Sequence, residues 1–139
     1  MSLQLDARIA GTGTRFLLFP QPRFLMKADG SGPLFAKPEV VTVSVPPDLI
    51  QAGPEDDRMY VVDAVSKLPY NQFVRPPYRG DTRAKVKPGR DGHFTYLKPG
   101  TREFSAATMY ATVRRVLDIW EDYFGHRITW HFESDFARL

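Results

Sequence analysis

The 139-residue chain predicts an α+β fold, in which a small, mainly antiparallel sheet packs on one long amphipathic helix over about residues 105–124. Three observations carry that expectation. From Ser105 to Phe124, apolar side chains recur at three- and four-residue steps, the spacing of one helical face. Valines 41, 43 and 45 alternate with Thr42 and Ser44, the period of a half-buried strand. Ile128, Trp130 and Phe132 alternate with Arg127, Thr129, His131 and Glu133, which predicts a strand returning from the helix.

The helix has signals at both ends. Ser105 suits the N-cap, because its hydroxyl can accept a free backbone N–H of the first turn. Phe104 and Met109 sit at the positions of a hydrophobic staple. Ala106, Met109, Tyr110, Val113, Val116, Leu117, Trp120, Tyr123 and Phe124 make the apolar stripe. Val116 and Trp120 are therefore expected to be buried. Arg114, Arg115, Asp118, Glu121 and Asp122 fall mainly on the other side, where a solvated face or an Arg114–Asp118 pair one turn apart is expected. Gly125 suits the left-handed position that ends a helix.

Residues 1–65 are strand-rich. Arg15 to Phe19 is a compact apolar segment stopped by Pro20 and Pro22. Asp29-Gly30-Ser31-Gly32-Pro33 is a turn. The valine strand ends at Pro46-Pro47, and Asp48 to Ala52 reads as one helical turn. Glu55-Asp56-Asp57 is an acidic loop, and Met59 to Val65 reads as a second strand. Residues 66–104 change character, because prolines and glycines recur too closely for a helix or central strand. The interleaved Tyr70, Phe73, Tyr78, Phe94 and Tyr96 predict that this loop packs down on something. The turns Lys87-Pro88-Gly89 and Lys98-Pro99-Gly100 flank an extended piece, His93 to Leu97. Together these parts make a single domain over residues 1–139.

Composition narrows the function classes. The chain has no cysteine, which excludes disulfides and thiolate metal sites. Hydrophobic residues at 42% and charged residues at 25% are those of a globular domain. A net charge of +3 does not by itself imply nucleic acid. No apolar run is long enough for a signal peptide or a membrane span, so a cytoplasmic protein is expected.

No catalytic constellation is visible. The three histidines, His93, His126 and His131, form no His-Glu-x-x-His pair, so no metal or cofactor is expected. Gly11-Thr12-Gly13 is too short for a phosphate cradle, and no nucleophile elbow occurs. The candidate binding residues lie in the basic loop: Arg79, Arg83, Lys85, Lys87, Arg90 and His93. Cations mixed with aromatics can hold a nucleic-acid backbone and stack its bases. They can equally dock on an acidic protein surface, and no recognised nucleic-acid motif accompanies them. A protein partner or neighbouring domain is the expectation, with no small-molecule ligand, and a free-standing polyanion-binding module is the alternative.

One resemblance sharpens this reading. Gly89-Arg90-Asp91-Gly92-His93-Phe94, then Pro99-Gly100-Thr101, Phe104-Ser105-Ala106-Ala107 and Ile119-Trp120-Glu121-Asp122-Tyr123-Phe124-Gly125 carry it. The stretch from Lys87 to Leu139 resembles the segment that precedes the catalytic domain in bacterial zinc metallopeptidase-like proteins of the thermolysin and fungalysin group. There a long helix leads into a strand of the type Tyr-Phe-Gly-x-x-x-x-Trp, matched here by Tyr123, Phe124, Gly125 and Trp130. The zinc-binding motif is missing, so no catalytic or metal residue carries over. The resemblance implies a non-catalytic accessory domain that packs against or covers a peptidase-like domain.

Overall fold

A computed structural model describes residues 7–66, 69, 71–131 and 138. Its elements are a short helix α1 (Ala7–Thr12), strand β1 (Thr14–Leu18), strand β2 (Glu39–Val43), a 3-10 turn at Pro47–Leu49 and the long helix α2 (Arg102–Phe124). The expected α+β architecture is present, with a two-stranded antiparallel sheet packed against α2. The register pairs Thr14 with Val43, Phe16 with Val41 and Leu18 with Glu39. Thr14 is fully buried and donates its hydroxyl hydrogen to the Val45 carbonyl at 2.6 Å, extending the ladder past β2.

Among the described residues, no third strand covers the other edge of β1. The Gly-rich turn does so instead. Phe94 N–H donates to the Arg15 carbonyl at 2.9 Å, and Arg15 N–H donates to His93 Nδ1 at 3.1 Å. This contact delivers Phe94 to the core, where its ring stacks on Phe16 with centroids 4.7 Å apart. Tyr110 of α2 meets Phe16 from the opposite side at 5.6 Å. Ala107 and Ala111, both buried, let the helix backbone approach the sheet closely. Phe104, Leu117, Val43, Val45, Ile50, Met59, Val86 and Leu97 complete the core. Phe94, Leu97 and Val86 thus anchor the long loop; of its aromatics only Phe94 reaches the core, Phe73 and Tyr96 are exposed, and Tyr70 lies outside the described residues.

Several expectations need correction. The helix begins one turn early. Thr101, after the Gly100 turn (φ 88°), is the N-cap and accepts from Phe104 N–H at 3.2 Å. Glu103 in the first turn suits the positive end of the helix dipole. Ser105 is therefore inside the helix, its hydroxyl donating back to the Thr101 carbonyl at 3.2 Å. With Phe104 inside the helix and buried and Met109 exposed, no staple forms. Gly125 ends α2 as expected, with φ 70° and its N–H donating to Glu121.

Met59 to Val65 is extended but is not a strand. Its backbone is satisfied piecemeal, by Pro54, Asp81 and Arg83, through isolated bridges at Tyr60 and Ala64. Pro54 has no N–H and cannot continue a ladder. His93 to Leu97 is bent rather than extended, because His93 closes a turn onto Gly89 (Gly89 N–H to His93 carbonyl, 2.8 Å). Residues 127–130 follow α2 without strand pairing; Ile128 N–H turns back to the Glu121 carboxylate instead. Phe132 and Glu133 lie outside the described residues.

Candidate functional site

The largest departure from the sequence reading is the rotation of α2 about its own axis. The residues it buries are Phe104, Ala107, Tyr110, Ala111, Arg114, Leu117 and Asp118. Two of these are charged. Val116 and Trp120, expected in the core, are 47% and 48% exposed. The helix therefore buries Arg114 and Asp118 together with Tyr110 and Leu117 of its apolar stripe, and leaves Met109, Val116, Trp120, Tyr123 and Phe124 exposed.

The inward charges are held by hydrogen bonds. Asp118 accepts from Ser44 N–H at 2.7 Å and Ser44 Oγ at 2.6 Å. Arg114 Nε lies 3.3 Å from Asp118 Oδ1, an ionic contact without hydrogen-bond alignment, and its Nη2 donates to Ser44 Oγ at 3.0 Å. The Arg114–Asp118 pair expected from the sequence is thus present, but buried rather than solvated. Asp56 accepts N–H groups from Arg58 and Met59 at 2.8 and 2.9 Å through Oδ1. Its Oδ2 accepts the Tyr110 hydroxyl at 2.7 Å and faces Arg114 Nη1 at 3.5 Å. Burial, and then the adjacent Asp56 carboxylate, push the Tyr110 phenol far above its ordinary range. Arg58, also buried, pairs with Glu121 and donates to the Ile128 carbonyl. Trp130 Nε1 donates to the Arg58 carbonyl at 3.2 Å, and the Arg58 guanidinium lies over the Trp130 ring. These carboxylates are engaged by the chain's own donors. The network pins α2 to β2 and to residues 55–59, and presents no free nucleophile.

The outward side of α2 has the opposite character. At ~100° per residue, Ser105, Ala106, Met109, Thr112, Val113, Val116, Ile119, Trp120, Tyr123 and Phe124 fall within an arc of about 140° whose one charged residue is Arg102, in the first turn of the helix. Met109 is 63% exposed, Tyr123 72% and Phe124 53%. Trp120 stacks on Phe124 at 5.5 Å and meets Tyr123 edge-on at 5.9 Å; His126 stacks on Phe124 in turn. Toward the N-terminal end, a shallow groove of about 400 Å³ is lined by Phe104, Ser105, Thr108, Met109, Thr112 and Val113. The exposed aromatics and Met109 thus form one neutral surface along the helix.

The basic-loop residues do not converge. Arg79, Arg83 and Lys85 line one cleft of about 400 Å³ with Tyr60, Tyr78, Glu55 and Asp63. Lys87, Arg90 and His93 do not line it. The acidic segment 55–63 already meets the loop's cations. Lys85 is 3.5 Å from Glu55, and Arg83 N–H donates to the Asp63 carbonyl. Arg102 grips Asp63 through two nitrogens and holds that carboxyl below its usual range, with a smaller contribution from Arg83. Lys87 offers its carbonyl to Tyr96, and His93 Nδ1 accepts from Arg15, so both serve the fold. His126 and His131 are exposed, and no cluster of potential metal ligands occurs among the described residues. No helix there is long and apolar enough to cross a membrane. No protein-family model, curated protein or solved structure matches this chain.

Proposed function

We propose that this chain is a non-catalytic interaction domain that engages another protein surface through the outward face of α2. The observation that carries the reading is the aromatic-rich outward side of a six-turn helix, free of charge from Ser105 to Phe124 and largely left in solvent, while Arg114 and Asp118 are buried on the other side. The resemblance of residues 87–139 to the segment preceding a metallopeptidase-like catalytic domain makes a peptidase-associated assembly the setting, with this domain as its accessory part. The basic loop supports a polyanion-binding role less well, since its candidate cations do not gather on one surface and Lys85 already pairs with Glu55.

The experiment is a charge placed on the face. Val116→Glu should melt within about 1 kcal/mol of the parent, as substitutions at half-exposed sites do, and should strip the surface of bis-ANS binding. A Val116→Glu protein that unfolds would show that the face belongs to the domain's own interior, and the reading would fall.

A further inference from the structure

Within the outward arc, Ala106, Met109, Val113, Val116, Trp120 and Tyr123 follow one another at steps of 3, 4, 3, 4 and 3 residues, with Ala106 and Val113 half-buried against the domain's own core and the other four exposed. That is the 3.5-residue seam by which two helices pack along each other. Resting on the docking role proposed above, we infer that the occupant of this seam is a second copy of the same chain, its α2 running antiparallel, so that the domain is a dimerisation module.

Three features of the face favour a copy of itself. The first is its charge. From Ser105 to Phe124 the arc holds no charge that would select a foreign partner or repel a copy of itself. Arg102, in the first turn on the same side of the helix, is paired with Asp63.

The second is shape. An antiparallel two-fold pairing centred between Val113 and Val116 sets Ala106 opposite Tyr123, Met109 opposite Trp120 and Val113 opposite Val116. The smallest side chain meets a large ring, a flexible thioether meets the indole, and two valines meet at the axis. The groove at the N-terminal half then receives Trp120 of the other copy as a knob. A parallel pair would crowd Trp120 on Trp120 and Tyr123 on Tyr123, and would leave a gap between two alanines. Antiparallel helices also place opposite dipole ends together.

The third is area. An aromatic side chain covers roughly 150–250 Å², and with the exposures of Trp120, Tyr123, Phe124, Met109 and Val116 the face offers roughly 600 Å² per copy. Doubled, that reaches the lower bound of about 1,200 Å² for specific interfaces. An interface of that size is below the range of obligate dimers, and we look for association at micromolar concentrations.

Sedimentation equilibrium of the intact chain tests this directly. The apparent mass should rise from 15.9 kDa toward twice that value as concentration passes through the micromolar range, and Val116→Glu should hold it at one copy. Because the chain has no cysteine, cross-linking reads the register without background. A mixture of Ala106→Cys and Tyr123→Cys proteins should oxidise to the mixed 106–123 species. Dominant 106–106 and 123–123 products would overturn the antiparallel arrangement. A parent that stays monomeric near 1 mM while Val116→Glu still folds and still loses bis-ANS binding would overturn self-pairing and leave a foreign partner on the face. Unfolding of Val116→Glu would remove the docking reading itself.

Discussion

Leu117 and Val116 are neighbours on α2, and exchanging each for alanine decides which side of the helix faces in. Leu117 is 6% exposed and packs in the core, so Leu117→Ala should cost ~2–5 kcal/mol, the range for a buried leucine truncated in a site that collapses only partly. Val116 is 47% exposed. Removing its methyls forfeits roughly half of what full burial would give, about 0.8 kcal/mol at ~0.8 kcal/mol per buried carbon. Alanine returns up to ~0.7 kcal/mol through its better helix propensity. The two nearly cancel, and Val116→Ala should be neutral to within about 0.5 kcal/mol. Urea denaturation at about 1 µM, where self-pairing on the micromolar scale contributes little, reads both through Trp120 and Trp130 fluorescence. In a thermal scan the leucine variant should lose about 8–20 °C, at roughly 4 °C per kcal/mol for a chain of this size. If Val116→Ala costs as much as Leu117→Ala, the helix is rotated so that the apolar stripe is its inner face, and everything said of an outward docking surface is wrong.

Two further outcomes follow from the buried polar network. Asp118→Ala strands Arg114 in the interior and takes two acceptors from Ser44, so it should cost ~3–5 kcal/mol by chemical denaturation; a loss as small as that of a surface carboxylate would show the pair to be solvated. Tyr110 gives a pH signature. Its folded-state pKa is raised above that of the unfolded chain, so its contribution is complete below about pH 10 and is lost as pH rises further, by ~1.4 kcal/mol per pH unit. Tyr110→Phe should lack that alkaline slope, and ultraviolet titration of the parent should show one of its six tyrosines ionising only with unfolding. Six phenols titrating together near pH 10 in folded protein would contradict the burial of Tyr110.

How far the sequence carries can be seen on α2 itself. The existence of the helix was legible, since a long three- and four-residue apolar rhythm ending at Gly125 is local information. Its rotation was not. The chain carries two apolar faces, one through Phe104, Ala107, Tyr110, Ala111 and Leu117, the other through Met109, Val113, Val116, Trp120 and Tyr123. The second is bulkier, so the stripe read from periodicity is centred on it and takes in only Tyr110 and Leu117 of the first. What reverses the choice is non-local: Ser44 and Asp56, which lie 74 and 54 residues from their partners Asp118 and Tyr110. No window along the chain contains both ends of such a bond. The same holds for His93, which reads as a candidate binding residue until Arg15, 78 residues away, is seen to donate to it. The β1–β2 pair, by contrast, follows from alternation and proline stops that sit within each segment.

Stability alone does not account for the arrangement of α2. A buried ion pair is about neutral, or worse, against well-packed apolar residues of the same volume. Turning the bulkier apolar face inward would also have removed its rings from water, a gain of ~1.5–3 kcal/mol for each large side chain. The fold instead spends Arg114, Asp118, Asp56, Arg58 and Glu121 on fixing one rotation of the helix, and it holds Trp120, Tyr123, Phe124 and Met109 in solvent. Both halves have one explanation if the outward face is covered in the working assembly. The polar network then supplies orientation, and the apolar surface supplies affinity that is realised only on association. On this account, loosening the network should weaken association at a distance. Asp118→Asn, which keeps a hydrogen-bonding side chain but removes its charge, should leave a folded chain whose α2 is less firmly oriented and whose self-association falls, although residue 118 lies on the opposite side of the helix from the seam. Unchanged self-association in a measurably destabilised Asp118→Asn protein would separate the two halves and leave the buried charges without this role.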